Sequence, residues 1–141
     1  MLSGSTLTLS TRVAEINRAT EHAAAFCREQ GITDRKEPVL KVVLEELITN
    51  SIRHGQPPTD AIITITLTRI EREIHLYYVD AGSPFDPHRD LPPDTRDQPL
   101  ERRPVGGLGW ALIFHYCKTI KYERRQDENH YEMVLELPSS R

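Results

Sequence analysis

The chain has little of what marks a specialised environment. Its 141 residues hold two cysteines, Cys27 and Cys117. They stand far apart and neither belongs to a CxxC pair, so a disulfide framework or a thiolate metal site is not expected. The expectation is two reduced thiols half-buried in helices. There is no excess of basic charge: the formal net charge is −3, whereas a nucleic-acid binder carries a clustered basic surface. No apolar run approaches the roughly 20 residues of a membrane span. The opening "MLSGSTLTLS" lacks a basic stretch followed by an apolar one, so no secretory signal is expected and the setting is read as cytoplasmic. Repeats and low-complexity segments are missing too. So are two phosphate motifs. No loop ends in GK[ST], and Leu112 falls where the third glycine of G-x-G-x-x-G would stand after Gly107 and Gly109.

What is present is the composition of a globular domain, 38% hydrophobic and 28% charged, and length enough for a single domain, 1–141, with a two-layer core. "STLTLS" alternates and reads as a short edge strand. Residues 11–31 read as a helix with Val13, Ile16, Ala23 and Phe26 on its apolar face and Gly31 as its stop. A second helix begins near Asp34, with Glu37 in capping-box register and Pro38 in the first turn. Its stripe is Leu40, Val43, Leu44, Leu47 and Ile48, continuing to Ser51 and Ile52, and Gly55 ends it. "AIITITLTRI" and "EIHLYYVD", separated by Glu71 and Arg72, form a hairpin. Residues 81–106 carry six prolines and no periodic apolar pattern, the mark of a functional loop. A helix at "GGLGWALIFHYCKT" and a second hairpin, "IKYERR" and "HYEMVLELP" around "QDEN", complete the chain. The order β-α-α-β-β-loop-α-β-β predicts an α+β fold: a two-layer sandwich with a mixed, mostly antiparallel sheet and helices on one face.

Three stretches carry chemistry. In "LEELITNSIRHG" the residues Glu46, Asn50 and His54 recur every fourth position, so they form one row along a helix. A carboxylate one turn from an amide makes a base-and-metal pair, because the Asn oxygen can ligate Mg²⁺ and Glu can orient or deprotonate a nucleophile. The alternative is a solvated helix face with a histidine near the C-terminal dipole. "DAGSPFDP" ends an apolar strand on Asp80 and turns through Gly82. Such an acceptor above an apolar pocket can take a ligand's exocyclic amine, although Asp-x-Gly is also a common turn. "VGGLGWALI" puts Gly106, Gly107 and Gly109 at a helix entrance. There, free N–H groups suit phosphate, and a plain flexible loop end fits the same residues.

Together and in this order, the three stretches resemble the ATP-binding (Bergerat) fold shared by histidine kinases, type II topoisomerases and heat-shock chaperones. The chain looks closest to the small anti-sigma-factor serine/threonine kinases. "LEELITNSIRHG" resembles the N box, "DAGSPFDP" the first glycine box and "GGLGWALI" the second, with the ATP lid at about 88–104 between them. The resemblance implies ATP and Mg²⁺ as cofactors. It implies Asn50 as the Mg²⁺ ligand, Glu46 as the catalytic base, Asp80 on the adenine amine, Gly82 beside the base, and Gly107, Leu108 and Gly109 at the phosphates. Glu45 is turned away from Asn50 by roughly 140° of helix. The implied function is phosphoryl transfer to a protein serine or threonine in a partner-switching system. Its partners would be an anti-sigma-factor antagonist and a sigma factor, with a homodimer as the assembly and neither nucleic acid nor membrane as a target. The alternative is an ATP-binding regulatory module that binds a partner without transfer. A complete sensor kinase, which carries a histidine-bearing helix pair before this domain, is not expected. Trp110 stands where many relatives carry a smaller aliphatic residue; it is expected to pack beside the nucleotide or under the lid, a plain core role being favoured over direct ligand contact. Arg53 and His54 are near enough to reach phosphate or lid, with no role fixed by the motif.

Overall fold

The computed structural model describes residues 3–32, 35–53, 55, 57–91 and 105–137. The expected cap at Asp34, the residue His54 and the lid beyond residue 91 lie outside them. The chain runs through β1 (Ser3–Ser10), a 3-10 turn (Val13–Glu15), α1 (Ile16–Glu29), α2 (Lys36–Arg53), β2 (Ile62–Ile70) and β3 (Glu73–Asp80). It then forms α3 (Val105–Tyr116), β4 (Thr119–Arg125) and β5 (Glu128–Glu136). The sheet order is β1-β2-β3-β5-β4, and all four pairings are antiparallel. The α+β two-layer architecture is as the sequence predicts. The sheet is simpler than expected, since none of these pairings is parallel.

Period-2 patterning decides which side chains face the helices. Ile63, Ile65 and Leu67 of β2 are buried, as are Ile74, Leu76 and Tyr78 of β3 and Tyr131, Met133 and Leu135 of β5. Against them lie Ala19, Ala23 and Phe26 of α1, the α2 stripe from Leu40 to Ile48, and Trp110 and Ile113 of α3. The same alternation carries Asp80 and Asn129 inward at the ends of their rows. Burial of the apolar side chains, at about 1.5–3 kcal/mol each, therefore holds two polar groups in place under the helices.

Two local details differ from the sequence reading. Helix α1 starts at Ile16, so Val13 sits in the preceding turn and is 65% exposed instead of facing the core. Gly31, at φ 66, ends α1 as expected, in a conformation that favours glycine. In the last hairpin the turn is two residues long, not four: Gln126 and Asp127 take φ 50 and 66, the pair of positive values that matches sheet twist in a type I′ turn. Asn129 thereby belongs to β5. Cys27 and Cys117 are free, and burial, the largest cause at each, pushes their thiols up to about 11 and about 12. Neither is a thiolate at neutral pH. Among the described residues no helix is long and apolar enough to cross a membrane.

Leu44 is fully buried in the middle of α2, between both layers. Leu44→Ala is expected to cost about 2–5 kcal/mol, read as a lower midpoint in urea unfolding; a change below about 0.5 kcal/mol would contradict this packing.

Candidate functional site

A cavity of about 260 Å³ opens between α2, α3 and the ends of β3 and β5. Leu47, Tyr78, Phe85, Trp110 and Tyr131 give it apolar walls, and Asn50, Ser51, Asp80 and Asn129 supply polar points. Trp110 is only 4% exposed, and its ring centroid lies 5.4 Å from Tyr131 and 5.6 Å from Phe85. It is at once a core side chain and a cavity wall. An apolar slot with a few convergent polar groups is the usual form of a small-molecule site.

Asp80 lies on the cavity floor, 6% exposed. A buried carboxylate needs donors, and three are supplied. Oδ1 accepts from the Gly82 N–H at 3.1 Å and from Asn129 Nδ2 at 2.8 Å, and Oδ2 accepts from Ser51 Oγ at 2.6 Å. Ser51 Oγ also lies 2.7 Å from the Tyr78 hydroxyl. Burial pushes the Tyr78 phenol well above its usual value, so it keeps its proton. With the serine proton spent on Asp80, the Tyr78 hydroxyl donates to Ser51 Oγ. A carboxylate offers about four acceptor positions; the fourth, on Oδ2, is left for a ligand's N–H.

The turn after Asp80 is held by a backbone contact that leaves little room for a Cβ. Ser83 N–H donates to Gly55 O at 2.8 Å. A methyl on Gly82 would lie 3.0 Å from both Cα and O of Gly55. Gly55 therefore does more than stop α2: it seats the Asp80 turn against the helix end.

Glu46 and Asn50 come together one turn apart on α2, as the i, i+4 spacing requires, and α3 passes directly over them. A methyl on Gly109 would meet Glu46 Oε2 at 2.6 Å and Asn50 Nδ2 at 3.1 Å. The three glycines lie inside α3, not before it. Gly107 falls in the first turn, whose N–H groups have no acceptor within a helix, whereas Leu108 and Gly109 follow it. What the structure shows of Gly109 is the room it leaves for Glu46 and Asn50. Asn50 Nδ2 is buried with no hydrogen-bond partner among the described residues. A buried amide with an unspent donor fits a ligand carrying phosphate oxygens, and its oxygen is the hard kind of donor that Mg²⁺ takes. No cluster of three His, Cys, Asp or Glu residues suited to a metal occurs among the described residues.

Residues 9–135 match the model of the histidine kinase-like ATPase domain. The chain belongs to that family. It is also similar to the serine/threonine-protein kinase BtrW of Bordetella bronchiseptica, at 32% identity over 97 residues, covering 67% of each chain. The protein is thus a kinase-type ATPase domain, and membership in this family implies that it binds ATP.

In this histidine kinase-like domain Glu46 is shifted. Burial first, and the Glu45 carboxylate second, raise its pKa above the usual value, with Arg53 opposing. The exposed Arg53 acts there as a nearby positive charge. Of the predicted lid, residues 88–91 are described. Leu91 lines the cavity, and the His88 Nε2 lies 2.7 Å from the Ile120 carbonyl. Asn129, 2% exposed and paired with Asp80 across β3 and β5, is the polar cavity residue that the sequence reading passed over. "QDEN" reads as a turn, yet counting back by twos from Leu135, Met133 and Tyr131 lands on it.

Two outcomes follow from this geometry. The folded chain binds the Glu46 proton to higher pH than the unfolded chain does, so ionised Glu46 costs stability as pH rises through its folded pKa, and that cost disappears below the unfolded value of about 4.3. Glu46→Gln is therefore expected to melt above wild type at neutral pH, with the difference closing below about pH 4; a mutant that melts lower at neutral pH would contradict the assignment. Gly109→Ala, by contrast, gains up to about 1 kcal/mol of helix propensity and displaces Glu46 and Asn50. Its melting temperature should not fall while ATP affinity, by calorimetry, drops; unchanged affinity would refute the crowding.

Proposed function

We propose that the domain is a Mg²⁺-ATP-dependent serine/threonine protein kinase of the anti-sigma-factor type, working in a partner-switching system. The observation that carries this reading is the convergence of Glu46 and Asn50 under Gly109, at the edge of a cavity whose floor offers Asp80 Oδ2. The similarity to a serine/threonine-protein kinase supports the kinase chemistry. Adenine enters the apolar slot, and its amino group donates to Asp80 Oδ2. The triphosphate then extends toward Asn50 and the free N–H groups in the first turn of α3, where anions are favoured. Mg²⁺, held through Asn50, would offset charge on the phosphate oxygens when bound.

Phosphoryl transfer asks for positioning and charge neutralisation more than for covalent help. The substrate hydroxyl oxygen bonds to the γ-phosphorus as the bond to the bridging oxygen breaks, and ADP leaves. The hydroxyl proton passes to Glu46. A carboxylate with a raised pKa is a better match to that task at neutral pH than one at the ordinary value. The substrate is an antagonist protein bearing the serine or threonine, and a sigma factor is the second partner, met by a homodimer in the cytoplasm.

Two mutants test the two halves of this reading. Asp80→Ala should lose most ATP binding by calorimetry, and binding equal to wild type would remove adenine from the cavity. Glu46→Ala should keep ATP binding and lose transfer of labelled γ-phosphate to a candidate antagonist. Undiminished transfer in that mutant would exclude Glu46 as the base, and wild-type binding with no transfer to any antagonist would make the domain a regulatory module.

A further inference from the structure

Asn129 is held more completely than a side chain that merely fills space needs to be. Its amide nitrogen donates to Asp80 Oδ1 and to the Ser83 carbonyl, both at 2.8 Å. Its oxygen accepts from the Tyr122 hydroxyl at 2.6 Å, Arg124 Nη1 at 3.2 Å and the Phe85 N–H at 3.3 Å. Every donor and acceptor of the amide is spent. The arrangement also has a polarity. The Phe85 N–H and the Arg124 guanidinium can only donate, so an amide turned over would press its NH₂ against two obligate donors. It would at the same time face its oxygen to the Asp80 carboxylate and the Ser83 carbonyl, which only accept. Arg124 Nη1 fixes the frame by donating to the Gly82 carbonyl at 2.7 Å as well. The amide is therefore locked with its N–H toward Asp80.

We propose that Asn129 is a positioning residue that sets the plane of the Asp80 carboxylate, and through it the preference for a base carrying an exocyclic amine. The inference rests on the adenine reading of the cavity. With Asn129 and Gly82 on Oδ1 and Ser51 on Oδ2, the carboxylate cannot turn about its own bond without breaking a hydrogen bond at each oxygen. The open position on Oδ2 then points one way. A ligand donor there is rewarded, and a ligand acceptor, such as the carbonyl of a 6-oxopurine, meets a fixed negative charge. Without Asn129, Oδ1 keeps one donor and the carboxylate can swing away from an unsuitable base. The phosphate contacts, on α2 and α3, are remote from this change.

The test compares ATP with inosine triphosphate, which carries a carbonyl where adenine has its amine, by titration calorimetry on the full chain. Wild type should prefer ATP. Asn129→Ala, shown to be folded by its thermal transition, should lose about tenfold or more of that preference. ATP should weaken while inosine triphosphate binds as before or more tightly. If Asn129 only supports the fold, both nucleotides weaken in proportion and the preference survives, which overturns the proposal. If wild type shows no preference, the adenine reading itself fails and takes the proposal with it.

Should Asn129→Ala not fold, Asn129→Asp decides. It keeps the acceptor side toward Tyr122, Arg124 and Phe85 and loses both donations. Two carboxylates at a contact now 2.8 Å long cannot both stay ionised at low pH, and a shared proton takes the place of the amide N–H. Arg124 faces this pair, with the hydroxyls of Tyr78, Tyr122 and Tyr131 and the Asp86 carboxylate around it. The ATP preference should be weak at about pH 8 and recover toward about pH 5. A wild-type preference at both pH values would overturn the proposal.

Discussion

The Asp80 carboxylate is the joint on which the two layers and the cavity depend. It ends β3, yet its hydrogen bonds reach α2 through Ser51, β5 through Asn129, and the following turn through Gly82. Hydrogen bonds to a charged group are worth about 1.5–3 kcal/mol each, and three of them offset the cost of burying the charge. They also leave it short of one donor. That position has no donor among the described residues, and Asp80 lines the cavity. The same carboxylate thus joins the helix layer to the sheet and keeps one acceptor position open to a ligand.

Glycine sets the other two approaches. Gly82 lies on the Gly55 backbone and brings the Asp80 turn onto the end of α2, while Gly109 lets α3 rest on the Glu46–Asn50 edge. Both are tight approaches, and α3 half-covers the polar edge of α2. That enclosure is the physical origin of the raised Glu46 pKa and of the unspent Asn50 amide. Structure and chemistry are coupled here. The features that make these residues costly to the fold are those that make them useful to a phosphate-bearing ligand.

Much of this is legible in the sequence because it is periodic. The spacing of Glu46 and Asn50 puts them on one helical row, and the alternation in β3 sends Asp80 inward. The elements and the α+β class follow from the same patterns. What the sequence hides is which surfaces meet. Gly55 reads as a helix stop because nothing local names Gly82 as its neighbour. Gly109 reads as one of three helix-entrance glycines because the side chains that it admits lie about sixty residues earlier. Asn129 is masked by composition, since a polar tetrapeptide resembles a turn; the type I′ geometry at Gln126 and Asp127 puts it in the strand, where the period-2 pattern also points. Val13 fails in the opposite sense, an apolar residue on the helical period that falls in the turn before the helix begins.

In the proposed complex adenine donates to Asp80 Oδ2 while the phosphates lie along the Asn50 edge of α2 and the first turn of α3. A crystal structure of the domain with a non-hydrolysable ATP analogue and Mg²⁺ tests it most directly. The adenine amine is expected within hydrogen-bond distance of Asp80 Oδ2, with the Ser51 and Asn129 contacts to Asp80 unchanged and the Asn50 side chain directed at the metal or the phosphates. An analogue bound with its base away from Asp80, or with its phosphates away from Asn50, would contradict it.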